Sequence, residues 1–263
     1  MKVMGILNVT PDSFSDGGIH FNMETAVGQA EQMIADGVDV IDIGGESTRP
    51  FADPVPLEEE LDRVIPVIRA LREKHQIPLS IDTTKAEVAR LALDAGADII
   101  NDVSALQHDP DMTELVKSTR VPVIIMHMQG TPGNMQVNPE YSDVVAEVIA
   151  FFRERLERLS KEGINLNRIT IDPGIGFGKK IGHNLSLLKH LHKLKALGQP
   201  VLLGHSRKRF IGEITGREVG ERDLPTAVIS AMALAHNIDM VRVHNVAATK
   251  DAINVAQAIH LAE

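Results

Sequence analysis

The stretch ITIDPGIGFGKK, residues 169–180, decides how the whole chain is read. Ile169, Thr170 and Ile171 make a short β-branched run, the composition of a buried strand. The run stops at one carboxylate, Asp172, and breaks into Pro173, Gly174, Gly176 and Gly178, with Lys179 and Lys180 behind. A buried strand that ends on a charge and turns into a glycine loop is how α/β proteins build ligand sites. The glycines suggest a phosphate cradle, because they let backbone N–H groups approach an anion. Neither standard pattern fits. A GxxxxGK[ST] loop starting at Gly174 needs glycine where Lys179 stands, and a GxGxxG loop fails at the same residue.

Outward from this stretch the same design recurs. Apolar runs at 3–8, 38–43, 79–81, 99–103, 121–126, 201–203 and 240–243 each end on or beside polar groups. In order these are Asn8, Asp42, Asp82, Asn101 with Asp102, His127, Ser206 with Lys208, and Arg242 with His244. Between them, helical spacing covers 23–36, 57–75, 85–95, 110–119, 144–161, 184–197, 224–237 and 247–261. Thr84, with Glu87 three residues on, reads as a capping box for the helix at 85–95. Eight strands alternate with eight helices without a break in composition. That predicts an α/β protein, a single-domain (β/α)8 TIM barrel over residues 1–263. A doubly wound open sheet is the alternative. It is disfavoured because polar groups end nearly every strand instead of gathering at one switch point, and the 169–172 strand lacks a dinucleotide fingerprint. In a barrel all strand C-termini share one mouth, so these polar residues converge there.

Composition narrows the function. The chain has 263 residues, a net charge of −9 and no cysteine. An acidic balance argues against general nucleic-acid binding. The absence of cysteine removes disulfides, thiolate catalysis and cysteine metal sites. The opening MKVMGILNVT does not read as a signal peptide, and no run of about 20 apolar residues suggests a membrane span. A cytoplasmic protein with small-molecule partners and no membrane is the expectation. Aromatics are only 3%, too few for a base-stacking platform.

The mouth residues suggest chemistry as a set. Asp172, Asp82 and Asn101 could each be a turn or cap residue alone, but on three strands they point to a polar small-molecule site. Carboxylates and amides suit a flat heterocycle that presents N–H donors. Ser206-Arg207-Lys208 and Arg242-Val243-His244 put cations on strands 7 and 8, where barrels often hold phosphate. Arg242 and His244 fall on one side of their strand by period-two alternation. The hydroxyl-, Gly- and Pro-rich loops TPDSFSDGG and GESTRPFADPVP read as a lid pair. Asn8 can place an oxygen on a hard cation such as Mg²⁺, which takes few protein ligands plus phosphate and water. His20 and His127 lack zinc-ligand spacing. Lys179 and Lys180 read as rim residues.

The motifs NVTPDSFSDGG, DIGGESTRP, IDTTK, NDVS, MHMQGTP, DPGIGFGK, SRK and RVHNV run in order through almost the whole chain. Together they resemble the dihydropteroate synthases of folate biosynthesis. That resemblance implies a (β/α)8 barrel, usually a homodimer. It also implies condensation of 6-hydroxymethyl-7,8-dihydropterin diphosphate with 4-aminobenzoate, with loss of pyrophosphate. By position, Asp82, Asn101, Asp172 and Lys208 resemble the pterin-pocket residues, and Asn8 resembles the Mg²⁺ ligand. Arg242, His244 and Thr48 resemble the residues that hold the diphosphate. Phe14, Pro50 and Ser206 resemble aminobenzoate-site residues, and Asp42 stands at a strand end that the family keeps acidic. Lys208, Arg242 and His244 are the implied catalytic groups. Phe51, His205 and Arg209 depart from the family pattern and bear on the aminobenzoate side. The alternatives are a methyltetrahydrofolate-dependent methyltransferase barrel, a non-catalytic pterin-binding barrel, and a sugar-phosphate aldolase or isomerase using Lys208.

Overall fold

The computed structural model describes residues 1–10, 19–47, 53–131 and 133–262, with side chains omitted at 19–22. Eight parallel strands are ordered β6-β5-β4-β3-β2-β1-β8-β7. They are β1 (Lys2–Asn8), β2 (Val40–Gly44), β3 (Leu79–Asp82), β4 (Ile99–Asp102), β5 (Val123–Met126), β6 (Ile169–Asp172), β7 (Leu202–Leu203) and β8 (Met240–Val243). A single bridge between Ile171 and Val201 brings β6 to β7 and closes the ring. The (β/α)8 barrel expected from the alternation is therefore the fold.

Among the described residues, ten α-helices surround the barrel: α1 (Ile19–Ala35), α2 (Leu57–Lys74), α3 (Ala86–Asp94), α4 (Asp111–Thr119), α5 (Val144–Lys161), α6 (Ile181–Lys189), α7 (Leu191–Lys195), α8 (Arg209–Thr215), α9 (Asp223–Leu234) and α10 (Val246–Leu261). The single helix read at 184–197 is two, broken at His190, whose φ of −115° and ψ of 24° leave helical geometry. The short α8 was not apparent in the periodicity. Thr84 does not cap α3. The first amide of that helix, Ala86 N, donates instead to Asp109 Oδ2 at 2.8 Å, a cap supplied from a distant loop. α5 is capped locally, with Asp143 Oδ1 accepting from Val145 N and Ala146 N. No helix among the described residues is long and apolar enough to cross a membrane.

Two apolar layers flank the sheet. The larger lies between strands and helices and includes Leu7, Ile41, Ile81, Phe152 and Val243. Inside the barrel, Met4, Val40, Ile124 and Leu202 form a plug, joined by Ile99 and Met240. Side chains along a strand alternate faces. The next inward positions, two residues on, are Asp42 after Val40, Asn101 after Ile99, Met126 after Ile124, Gly204 after Leu202 and Arg242 after Met240. A polar layer thus sits directly on the hydrocarbon plug, at the strand C-terminal end where barrels carry their sites.

Candidate active site

On the β2–β3–β4–β8 side of the mouth, Arg242 bridges two carboxylates. Its Nε donates to Asp42 Oδ2 at 2.5 Å and its Nη2 to Asp82 Oδ2 at 2.7 Å. Asn101 Nδ2 donates to the same Asp42 oxygen at 3.0 Å. Asp42 is fully buried beneath these partners, while Asp82 stands two residues nearer the mouth, opposite Asn101 and Gly44. The other oxygens of both carboxylates, Asp42 Oδ1 and Asp82 Oδ1, are buried and lack a hydrogen-bond partner among the described residues. Burial pushes the Asp82 carboxyl up to about 7, with Arg242 opposing and Asp42 adding to the shift.

On the β5–β6–β7 side the backbone does more of the work. Asp172 is buried at the end of β6, and its Oδ1 accepts from Gly174 N at 2.7 Å. The chain then turns so tightly that a Cβ on Gly174, at φ +69°, would lie 1.9 Å from His127 O. Only glycine permits that approach. Burial raises the Asp172 carboxyl, against the Gly174 amide and the charges of Lys208, Arg242 and Lys179. Gln136 Nε2 and Tyr141 Oη bind the carbonyls of Gly176 and Gly178 at 2.7 and 2.9 Å, fastening the glycine loop to the loop after β5. Val103, Met126, Met135 and Phe177 form a small apolar cluster on this side. The Lys208 ammonium lies 4.0 Å from the centre of the Phe177 ring, a cation–π contact.

Lys179 is not on the rim. It is 3% exposed, and its Nζ reaches His127 Nδ1 at 3.0 Å, Phe177 O at 3.0 Å and His127 O at 3.3 Å. The rim assignment fails because the glycine loop folds back over β5 and carries Lys179 inward. Lys180 does stay outside, bonded to Asn138. Burial lowers His127 to about 3, so it is neutral and offers Nδ1 as an acceptor.

Between strands 7 and 8, the Ser206 hydroxyl accepts from His244 N at 3.2 Å and lies 2.9 Å from His244 Nδ1. Burial first, then Arg207, Arg242 and Lys208, lower His244 to about 3. A neutral ring that accepts at Nδ1 keeps Nε2–H as a donor. Arg207 is turned away by a φ of 56° and gripped by Asp223 at 2.6 and 2.8 Å. His205, fully buried, points behind the strand to Thr226 O and Ser230 Oγ at 3.0 and 3.1 Å. Arg209 is exposed on α8 and paired with Glu213.

The structure therefore joins Asp42, Asp82, Asn101 and Arg242 in one network, and Ser206 with His244 in another. Asp172 ends β6, and Lys208 stands in the loop after the adjoining β7, at the start of α8. Asn8 ends β1 opposite Gly44. Phe14, Thr48, Pro50 and Phe51, with His20, lie outside the residues whose side chains are described. Lys179, Phe177, Gly204 and Met126 were missed in the sequence. Period-two counting from Ile124 and Leu202 would have found Met126 and Gly204, whereas nothing in the spacing marks Lys179.

A layer of buried carboxylate, amide and guanidinium groups at the mouth of a barrel defines a class, and residues 4–244 match the family described as pterin-binding enzymes. Within that class, a dihydropteroate synthase from Synechocystis sp. is 46% identical over 258 residues, covering 98% of this chain and 89% of that protein. One from Escherichia coli K12 is 47% identical over 259 residues, covering 97% and 90%. A structure of Xanthomonas albilineans dihydropteroate synthase with 4-aminobenzoic acid matches with a TM-score of 0.94 at 50% identity, over 100% of this chain and 94% of the other. The same enzyme in complex with 7,8-dihydropteroate gives a TM-score of 0.91 at 48% identity, with the same coverage. The chain belongs to the dihydropteroate synthase family.

Proposed function

We propose that this protein condenses 6-hydroxymethyl-7,8-dihydropterin diphosphate with 4-aminobenzoate to give 7,8-dihydropteroate and pyrophosphate. One observation carries the assignment. Asp172, a buried carboxylate with one oxygen pinned by Gly174 N, faces the same mouth as Asn101, Asp82 and Arg242. Its other oxygen suits the ring N–H and amino donors of a pterin edge. Gly204 leaves room for it, since a Cβ there would lie 3.1 Å from Asp172 Oδ2. Asn101 and the unpartnered Asp82 Oδ1 supply further polar contacts to the ring, with Asp42 bracing Asn101 and Arg242 from below.

Arg242, His244 and Thr48 hold the diphosphate. Arg242 spends two N–H groups on Asp42 and Asp82, and a guanidinium has others to offer an anion. Neutral His244 donates from Nε2. Lys208 meets the pterin edge and, with Ser206, Phe14 and Pro50, shapes the aminobenzoate site. The C–O bond between the pterin methylene and the diphosphate breaks, and pyrophosphate departs with the electron pair. The aminobenzoate nitrogen forms the new C–N bond and releases a proton to solvent. A weakly basic amine attacking a ring-stabilised cation demands no strong general base. Positioning and charge stabilisation then carry the rate.

Mg²⁺ fits this site in a restricted way. No three His, Asp or Glu side chains gather as a metal cage among the described residues. Asn8 offers one neutral oxygen at the end of β1, a donor set suited to an ion that shares its coordination with diphosphate and water. When bound, Mg²⁺ would neutralise diphosphate charge and make it a better leaving group. A homodimer is supported by an apolar face on α9 and α10, where Leu224, Val228, Met232, Val255 and Ile259 are all more than half exposed. Purified protein given both substrates and Mg²⁺ should release pyrophosphate in step with dihydropteroate. Pterin binding without pyrophosphate release would instead mark a non-catalytic pterin barrel.

A further inference from the structure

We propose that Lys179 is a positioning residue for Lys208: by tying the Phe177 carbonyl to His127, it fixes the aromatic ring against which the Lys208 ammonium rests. The contacts form a continuous chain. Lys179 Nζ reaches Phe177 O at 3.0 Å on one side and His127 Nδ1 and O at 3.0 and 3.3 Å on the other. An ammonium has three N–H donors and no acceptor, so these three acceptors match it in number. His127 is itself locked to β6, because its N–H donates to Asp172 O at 3.0 Å and its carbonyl packs on Gly174. Phe177 is thereby referenced to the strand that carries Asp172. Its ring lies 4.0 Å from the Lys208 ammonium, and the Lys208 stem runs so close to Gly176 that a Cβ there would be 3.0 Å from Cδ.

Satisfying two carbonyls does not by itself explain a lysine here. A buried ammonium loses its hydration, and Lys179 is driven down to about 7 by that burial, with Lys208 adding to the shift and Asp172 opposing it. A shorter neutral donor could serve the carbonyls without that cost. What the long stem adds is reach: from beyond Gly178 it spans back to both His127 and Phe177. The loop is closed from inside, and the Phe177 backbone that carries the ring cannot shift without breaking the Lys179 bond.

The inference rests on Lys208 meeting the pterin, as proposed above, and the test separates the two. Calorimetry with pterin diphosphate, in the absence of aminobenzoate, is run on the wild type, Lys179→Met, Lys208→Ala and the double variant. In contacting networks the effects of two substitutions are not additive. Lys179→Met should weaken binding about tenfold with Lys208 present and less than about twofold in the Lys208→Ala background, a coupling of the size seen between neighbours. Equal losses in both backgrounds, or no loss in either, overturn the inference and leave the functional reading intact. A wild type that does not bind pterin diphosphate overturns both. Should Lys179→Met not fold, Phe177→Leu tests the same link, since it keeps the carbonyl on Lys179 and removes the ring. Its effect should likewise disappear in Lys208→Ala, and additivity there refutes the proposal.

Discussion

The two halves of the mouth use the same residue types and are held in different ways. On the β2–β3–β4–β8 side, side chains from distant parts of the sequence bind one another: Asp42 to Asn101, and Arg242 to both Asp42 and Asp82. On the β5–β6–β7 side, Asp172, His127 and Lys179 are held mainly by main-chain amides and carbonyls, of the glycine loop and of the ends of β5 and β6. The residual charges are opposite. Two carboxylates face one guanidinium on the first side, and two lysines face one carboxylate on the second. In each half one group of the surplus sign is pushed toward neutrality, Asp82 up to about 7 and Lys179 down to about 7, by burial above all. A substrate with N–H donors at one edge and a diphosphate at the other suits such a divided mouth.

The sharpest way to break this comparison is Arg242→Ala. It strips the cation from two buried carboxylates, so unfolding in urea should show a loss of about 3–5 kcal/mol at pH 7, the range for breaking a buried pair. Turnover should fall as well, and a variant with wild-type kinetics would remove Arg242 from the diphosphate site. The stability deficit has a definite pH dependence. The folded-state pKa of Asp82 lies above its ordinary value of 3.8. A carboxyl raised on folding is tolerated below its unfolded pKa and penalises the fold as pH rises through its native one. Removing Arg242, whose charge lowers that pKa, raises it further, so the variant's deficit relative to wild type should widen as pH rises above about 7, and a deficit independent of pH would argue against unpaired carboxylates.

Gly174→Ala attacks the other half through its backbone. A methyl group 1.9 Å from His127 O, at positive φ, forces the loop away from β5. The expected cost is about 2–4 kcal/mol by thermal or urea unfolding, combining overpacking with backbone strain. A loss under about 1 kcal/mol would mean that the loop yields easily and is no rigid counterpart to the carboxylate side. Asp172→Asn keeps the shape and removes the charge. Pterin diphosphate should bind about 10- to 100-fold more weakly by calorimetry, the worth of a charged hydrogen bond. Unchanged affinity would dismiss Asp172 as the pterin acceptor. The smallest effect belongs to Arg209→Ala. Its partner Glu213 lies one turn away and the arginine is exposed. Stability should change by less than about 0.5 kcal/mol, and a changed KM for aminobenzoate would show that this departure from the family pattern reaches the site.

The same division explains what could be read in the sequence. The barrel, the strand ends and the convergence of Asp82, Asn101, Asp172, Lys208 and Arg242 follow from local patterning: apolar runs, their polar ends and the helices between. The pairing of Arg242 with Asp42, 200 residues apart, depends on the register of β1 with both β2 and β8, and no local pattern encodes that. Lys179 looked like a surface charge because a lysine after glycines gives no hint that the loop turns inward. Thr84 lost its capping role to Asp109 for the same reason: the better acceptor came from another loop.

The ring of strands is thinnest where it matters most. β7 has two residues, and β6 meets it through one bridge, with Ile171 N donating to Pro200 O at 2.9 Å. Asp172 ends one of these strands, and Lys208 lies in the loop that leaves the other. A ligand held by both would lace this seam from within, so occupancy and barrel closure would be thermodynamically linked. The Ile171 amide is the place to see it: its hydrogen-exchange rate reports how often the barrel breathes, and a bound pterin would slow that breathing without adding a single strand contact.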